Sequence, residues 1–198
     1  MNRLYLSADV RRAEAIAKVI ELAAHNDPVG ITTGQIAAEM GVSQGAIFRH
    51  FADKQAIWAA VLDWTSTELQ RRFDSLPAQP PLDSLYAMLT AHIDFLIENP
   101  GVPRILFGEL QRAGETPTKA IAKQLMADYR TRIVAKLETA RSQGSIAPDS
   151  DVAAQAVLFL AMVQGLVMQA LAVDDFTGMP DWSKRVFALY RTGLEMQP

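Results

Sequence analysis

The sequence predicts an all-α protein, on the strength of three observations. Apolar residues recur at intervals of three and four through most of the chain, which is the period of a helix that buries one face. No segment alternates apolar and polar residues over the length of a half-buried strand. Glycine and proline interrupt the periodic segments where helices would end. We expect an N-terminal three-helix bundle followed by a larger helical domain.

A first amphipathic helix is predicted from Ser7 to about His25. Ile16, Val19 and Ile20 lie on one stripe of this segment, and such a stripe marks the side of a helix that packs against a core. The helix would brace two shorter helices behind their exposed surface, which completes a bundle of three.

The second helix carries its own start and stop signals. Thr32 is followed three positions later by Gln35, a capping box in which the two side chains satisfy otherwise unpaired backbone donors. Gly41 can end the helix, since glycine adopts a positive φ without steric cost. The chain would then turn into a third helix, which is the layout of a helix-turn-helix.

The third helix is predicted to present two different faces. Ser43 precedes it as a cap, and Ile47 and Phe51 share the inward side, four residues apart. The opposite face carries Gln44, Gly45, Ala46 and Arg49. Residues 42–51 include no acidic side chain, so this face could approach phosphate without like-charge repulsion and offer donors to base edges. These features indicate a DNA-reading helix.

A long fourth helix is predicted from Asp53, whose carboxylate can cap it, to about Phe73. Lys54 lies in its first turn, where a cation and free backbone N–H groups together suit a phosphate. Prolines at positions 77, 80 and 81 break the pattern that follows. The helix is therefore the expected lever between two domains.

The motif formed by these elements is dense. It consists of Thr32-Thr33, Ile36-Ala37, Gly41-Val42-Ser43, Ala46-Ile47-Phe48, His50-Phe51 and Lys54. It resembles the N-terminal domain of the tetracycline-repressor (TetR) family of bacterial transcription regulators. We therefore expect a DNA-binding protein that uses these residues at the groove.

The resemblance implies a role for each residue of the motif. The positions expected to face base edges are Gln44, Gly45, Ala46 and Arg49. The positions expected to lie against the sugar-phosphate backbone are Thr33, Phe48, His50 and Lys54, and the helix caps Thr32 and Ser43 complete the DNA-binding set. Two departures affect this expectation. The family usually has tyrosine at Phe48, so a phosphate-bonding hydroxyl is missing, and Gly34 has no side chain where some members contact a base.

Five further helices are predicted beyond the prolines. Their approximate spans are 82–98, 103–113, 117–144, 152–173 and 180–194. This arrangement is similar to the ligand-sensing and dimerisation half of the same family, at the level of architecture only. We expect a DNA-binding domain over residues 1–53 and an effector-binding and dimerisation domain over residues 54–198.

The segment Val152–Val173 is uncharged over 22 residues, long enough to cross a ~30 Å hydrocarbon layer. Glutamines within it, aspartates on both sides and the lack of a flanking basic cluster argue against a membrane span. A helix that is apolar all round is otherwise buried or forms a subunit seam. With the stripe of Trp182, Val186 and Leu189, it would leave too much apolar surface for a monomer. We expect a homodimer that pairs through the last two helices.

A binding pocket for a small-molecule effector is expected inside the C-terminal bundle. The candidate residues are Met88, His92, Arg104, Glu109, Tyr129, Met162, Gln164 and Met168. Methionine adapts to irregular apolar ligands, and a few polar groups orient them. The alternative for each methionine is core filling, and for the polar residues a satisfied hydrogen-bonded set or solvent-facing charges. The sequence does not identify the effector.

Composition excludes several classes of function. The chain has no cysteine, which removes thiol nucleophiles, disulfides and thiolate metal sites. The three histidines His25, His50 and His92 show no metal-ligand spacing, and neither a phosphate-cradling glycine loop nor a nucleophile elbow occurs. We expect no metal and no cofactor. The N-terminus lacks the apolar core of a signal peptide, so we expect a cytoplasmic protein.

The function that these features favour is a ligand-responsive transcription regulator, most often a repressor in the family it resembles. A dimer would read two half-sites of a pseudo-palindromic operator about 34 Å apart. The net charge of −3 does not itself indicate nucleic acid, so this inference depends on the motif. The alternatives are a small all-α enzyme with a pocket in the C-terminal domain and an architectural DNA-binding protein without an effector.

Overall fold

The computed structural model describes residues 8–195, and within this range the chain forms nine α-helices and no strand. The helices are α1 (Ala8–His25), α2 (Thr33–Glu39), α3 (Gln44–Ile47), α4 (Lys54–Asp74), α5 (Pro81–Glu98), α6 (Gly101–Gln111), α7 (Pro117–Ser142), α8 (Val152–Val173) and α9 (Met179–Glu195). The all-α prediction is confirmed. Ser7, where the sequence places the start of the first helix, lies outside the described residues.

The caps of the short helices follow from local hydrogen bonds. Thr32 and Gln35 form the predicted capping box, with the Gln35 backbone N–H donating to Thr32 Oγ1 (3.2 Å) and the Thr32 N–H donating to Gln35 Oε1 (2.8 Å). Gly41 has the predicted positive φ of 62°. Asp53 Oδ1 accepts the backbone N–H three residues later (2.8 Å). Ser43 was expected to cap in the same way, but its side chain makes no capping hydrogen bond.

The third helix is shorter than the sequence predicted. α3 ends at Ile47, and residues 48–50 continue as turns. The N–H of His50 bonds to the Ile47 carbonyl (2.9 Å), which tightens the turn, and the N–H of Phe51 bonds to the same carbonyl (3.1 Å). Because that second bond spans four residues, Phe51 stays on the inward side with Ile47.

The chain divides into two compact units. The first contains residues 8–67 and 99–123, and the second contains residues 68–98 and 124–195. α4 and α7 each contribute residues to both units. This grouping describes contacts in the folded chain, and the functional boundary after residue 53 stays a prediction.

In the first unit, α1 packs against α2 and α6, and α2 packs against α3. The side chains at the centre of this packing include Val19, Ile36, Ile47 and Ile57, which are almost fully buried. α1 and α6 meet at Gly101. A Cβ on Gly101 would overlap the backbone carbonyl oxygen of Ile20 and lie 2.9 Å from the backbone nitrogen of Ala24, so the two helix backbones touch at this point.

In the second unit, α9 packs against α5 and α8. Its core contains aromatic rings in edge-to-face contact. The Phe159 ring lies 6.4 Å from that of Tyr129 and 5.8 Å from that of Tyr190. The Tyr190 hydroxyl donates to the Gln155 carbonyl (3.0 Å), which satisfies a polar group that the packing removes from water.

α8 is long and apolar enough, by length and composition alone, to cross a membrane. It also has the features of a core helix, because Ala156, Phe159 and Val163 are buried within the second unit. Its opposite side carries Val157 and Leu158, which are half-exposed. The C-terminal cap is Asp174, in the left-handed conformation with a φ of 54°.

Candidate nucleic-acid interface

The helix-turn-helix separates an inward side from an exposed side. Ile47 and Phe51 are 2% and 3% exposed and lie in the core of the first unit. Gln44, Gly45 and Arg49 are exposed. The polar side chains expected to read bases therefore project from the helix-turn-helix into solvent, where they are accessible to a duplex.

Gln44 is held by a hydrogen bond that it donates to the neighbouring helix. Its Nε2 donates to Thr33 Oγ1 at 2.7 Å. Thr33 is the first residue of α2 and Gln44 is the first residue of α3. The bond thus joins the two short helices at their N-terminal ends, on the surface.

The exposed side of α3 has no side chain at Gly45, and the space around this residue is open. A Cβ built on Gly45 meets no atom within 4 Å. Phe48, where the family usually has tyrosine, exposes 47% of its surface. An exposed phenyl ring can contact deoxyribose or a thymine methyl group, but it cannot donate a hydrogen bond to phosphate.

His50 lies beside an arginine that the sequence analysis missed. Arg12 Nη1 donates to the His50 carbonyl oxygen (2.9 Å), and its guanidinium lies over the Phe51 ring, 4.6 Å from the centroid. Arg12 is exposed, so it adds a cation next to the residues expected to meet phosphate. The adjacent Arg11-Arg12 pair just ahead of the motif was the available signal.

Lys54 makes a contact within the protein that the sequence did not predict. Its Nζ donates to the Val29 carbonyl (2.7 Å) and lies 5.1 Å from the centroid of the Trp58 ring. Burial lowers the pKa of Lys54, and the carboxylate of Asp27 partly opposes this shift. An ammonium group has three donors, so Lys54 can keep this internal bond and still donate to a phosphate. The phosphate contact itself stays a prediction.

Two of the expected effector residues meet in the second unit, where Tyr129 is buried and His92 is part-buried. His92 Nδ1 lies 3.2 Å from the Tyr129 hydroxyl, and the two rings are edge to face at 5.1 Å. The Phe73 ring stacks on the Tyr129 ring, with their centroids 5.3 Å apart. Burial lowers the pKa of His92 to about 4 and raises the pKa of Tyr129, so both groups are neutral at pH 7.

The remaining effector candidates do not share that location. Met88 is buried, and Met162 and Gln164 are half-buried in α8. Met168 is 49% exposed, which differs from the expected interior position.

Arg104 and Glu109 also depart from the expected bundle interior. Both lie on α6, which belongs to the first unit because it packs on α1. Glu109 is nevertheless 3% exposed. Its Oε1 accepts from Arg112 (3.2 Å), while Oε2 has no hydrogen-bond partner among residues 8–195.

Curated proteins similar to this chain include the nucleoid occlusion factor SlmA of Shewanella halifaxensis. The two sequences are 25% identical over 166 residues, which is 82% of this chain and 84% of that protein.

Solved structures share the fold at lower sequence identity. The fatty acid degradation regulator FadR from Bacillus halodurans has a TM-score of 0.80 at 14% identity, over 94% of this chain and 97% of that one. A TetR transcriptional regulator from Chloroflexus aurantiacus gives 0.79 at 20% identity, over 96% of each chain. FadR from Bacillus subtilis, in complex with stearoyl-CoA, gives 0.77 at 16% identity, over 91% and 98%.

Two family models match the chain in sequence. Residues 16–61 match the model of bacterial regulatory proteins of the tetR family, and this range contains the helix-turn-helix. Residues 111–184 match the model of the tetracyclin repressor-like C-terminal domain. Together the two matches cover more than half of the sequence. The chain therefore belongs to the TetR family of DNA-binding transcriptional regulators, and not to a family of enzymes.

Proposed function

We propose that the protein is a cytoplasmic, dimeric transcription regulator that binds a pseudo-palindromic operator and leaves it when a small molecule binds, that is, a repressor. The observation that carries the DNA-binding part is the exposure of Gln44 and Arg49 beside a buried Ile47. A helix arranged in this way can enter a major groove while its other side keeps the core intact.

The surface offers two kinds of contact. The residues that would meet base edges are Gln44, Gly45, Ala46 and Arg49. The residues that would lie along the sugar-phosphate backbone of the DNA are Thr32, Thr33, Ser43, Phe48, His50 and Lys54, together with Arg12. Backbone contacts fix the register of the protein on the duplex, and base contacts supply the sequence preference.

The dimer would form through α8 and α9. Of the nine large apolar side chains that are exposed in residues 8–195, six lie on these two helices. They are Val157, Leu158, Met168, Val173, Trp182 and Leu189. Such a concentration favours a covered interface, and a two-fold axis would place one reading helix at each half-site.

Ligand response would originate in the second unit. Tyr129 is buried, and the part-buried His92 lies beside it. A few polar groups among apolar side chains are the composition of a site that orients a mostly apolar ligand. The structural neighbour FadR from Bacillus subtilis holds stearoyl-CoA. An effector that favours the non-binding conformation by roughly 3 kcal/mol would lower operator affinity about 150-fold. Because α4 contributes to both units, we propose that it transmits the change.

The decisive experiment is selection of bound fragments from genomic DNA, followed by titration of the selected operator. We expect Gln44→Ala and Arg49→Ala to relax base preference, because each base contact is worth about 1–3 kcal/mol. Lys54→Ala should weaken all sequences and reduce the salt slope by about one. Arg130→Ala, which removes an exposed arginine of α7 in the second unit, is the matched control. Equal binding of wild-type protein to every fragment would refute the proposal.

A second candidate function is architectural DNA binding without an effector. The observation in its favour is the sequence similarity to proteins that are named nucleoid occlusion factors. This function predicts many genomic sites and operator affinity that small molecules do not change. Titration of the operator with metabolite pools, including acyl-CoA thioesters, separates it from ligand-responsive regulation.

A further inference from the structure

The hydrogen bond between Gln44 and Thr33 restrains a side chain that projects into solvent. Gln44 Nε2 lies 2.7 Å from Thr33 Oγ1. A glutamine has three rotatable bonds and would otherwise sample many rotamers at an exposed position. The bond fixes its amide before any ligand arrives.

This bond makes only a small contribution to the fold. Gln44 is exposed, and an exposed hydrogen bond largely replaces one to water. The second helix has a separate capping box at Thr32 and Gln35, so the Thr33 hydroxyl is not needed to start it. The arrangement is instead suited to preorganising a recognition group, since a group fixed in advance loses less entropy on binding.

We propose that Thr33 is a positioning residue for Gln44, and that the fixed amide reads an adenine in the major groove. This inference rests on the proposed function. The Thr33 hydroxyl uses one of the two amide hydrogens, which leaves one N–H donor and the Oε1 acceptor available to a base edge. Because a hydroxyl can both donate and accept, the bond restrains the amide in either orientation.

Adenine is the base that complements this pair of groups. Its major-groove edge has an acceptor at N7 next to a donor at N6. Guanine offers two acceptors, so the amide oxygen would face an acceptor. Thymine offers one acceptor and a methyl group, and cytosine offers one donor. The open space over Gly45 allows the base edge to approach.

The test compares Thr33→Val, which keeps the shape without the hydroxyl, with Thr33→Ser, which keeps the hydroxyl. Each variant is made with Gln44 and with Gln44→Ala. Base preference at every operator position, total affinity and salt slope are measured on a randomised operator. Thr33→Ala is the second hydroxyl-free variant, and thermal melting verifies that all variants are folded.

We expect wild-type protein to select adenine at one position of each half-site, and Gln44→Ala to lose that selection. Thr33→Val should reduce the selection of adenine about three- to tenfold, which is a part of the discrimination that a bidentate contact provides. The salt slope should be unchanged. Thr33→Ser should restore the selection. In the Gln44→Ala background, removal of the hydroxyl should have no further effect on base selection, because the two residues act as one unit in that selection.

Three results would overturn the inference. A uniform loss of affinity in Thr33→Val, equal on the operator and on random DNA, would identify Thr33 as a phosphate contact only. Selection of another base at the Gln44-dependent position would refute the adenine assignment. Additive losses in the double variant would show that Thr33 does not act through Gln44. In each case the wild-type protein still prefers its operator, whereas absence of any preference would refute the proposed function as well.

Discussion

At the scale of single residues, the reading surface is assembled from side chains whose positions depend on neighbours far away in the chain. Arg12 and His50 are 38 positions apart, and the guanidinium of one bonds to the carbonyl of the other. This contact places a cation beside the helix-turn-helix without adding to the charge of the motif. The net charge of the chain therefore says little about the charge at the groove.

We predict that Arg12→Ala weakens operator binding at least about tenfold, because hydrogen bonds to charged groups are worth roughly 1.5–3 kcal/mol, and each 1.4 kcal/mol is a factor of about ten. The loss should be similar for specific and random DNA, since a phosphate contact carries no sequence information. Titrations at several salt concentrations measure both effects. The same substitution at Arg130 should leave binding unchanged. A selective loss on the operator alone would show that Arg12 contacts a base.

His92 makes stability depend on pH in a defined direction. Burial holds its pKa in the folded chain at about 4, below the ordinary histidine value of 6.5. Between these values the unfolded chain binds the proton and the folded chain does not, so stability is present above pH 6.5 and falls toward pH 4. Across the whole interval, the protonation of His92 in the unfolded chain lowers the free energy of unfolding by roughly 3 kcal/mol.

We predict that His92→Gln removes this component, because glutamine stays neutral and can still bond to the Tyr129 hydroxyl. Urea unfolding at pH 7.5 and pH 5 measures it as the difference between wild type and variant. The wild type should lose more stability than His92→Gln on acidification. An equal loss in both would show that the protonation of His92 does not differ between the folded and unfolded states.

At the scale of helices, local signals account for where most elements begin and end. The capping box at Thr32 and the glycine at position 41 involve residues within a few positions of each other. Such signals act before tertiary structure forms, so they are visible in the sequence. α3 is the exception, because its last turn is tightened by bonds at His50 rather than ended by a stop residue.

Gly101 shows a helix contact that no local pattern announces. It lies in the first turn of α6, against the backbone of α1 at Ile20 and Ala24. We predict that Gly101→Ala lowers the free energy of unfolding by an amount near the upper end of about 1–3 kcal/mol. The cost is high because backbone atoms cannot move aside as a side chain can. Urea unfolding provides the measurement.

Gly108 provides the matched control, since it lies on the same helix with nothing within 4 Å of an added Cβ. Gly108→Ala should stabilise α6 by about 0.5–1 kcal/mol, through the lower entropy of the unfolded chain. If both substitutions had the same effect, the close approach of α1 and α6 would not govern stability.

At the scale of the whole molecule, the exposed side chains of α8 and α9 provide the test of assembly. Leu189 is 75% exposed in the single chain, so a charge there does not disturb the core. We predict that Leu189→Glu raises the dimer dissociation constant about 100-fold, since burying an unpaired charge costs on the order of 3 kcal/mol. Analytical ultracentrifugation measures this constant, and melting should be unchanged at concentrations where both proteins are monomeric.

Val29→Glu is the control for this substitution, because Val29 is 79% exposed but lies in the first unit. It should leave the dimer intact. If Leu189→Glu dimerised as well as wild type, the pairing surface would lie elsewhere than on this side of α9.

The helices, their caps and the family motif could be predicted from the sequence, because periodicity, capping and turn chemistry involve residues close together in the chain. The exposed Gln44 and Arg49 followed from the same pattern, since a helix with Ile47 inward must turn its other side outward. Three features required the folded chain: the hydrogen bond that Gln44 donates to Thr33, the position of Arg12 beside His50, and the assignment of Arg104 and Glu109 to the first unit. Those contacts join residues on different helices, and where helices meet depends on how all their apolar sides pack together rather than on any single segment.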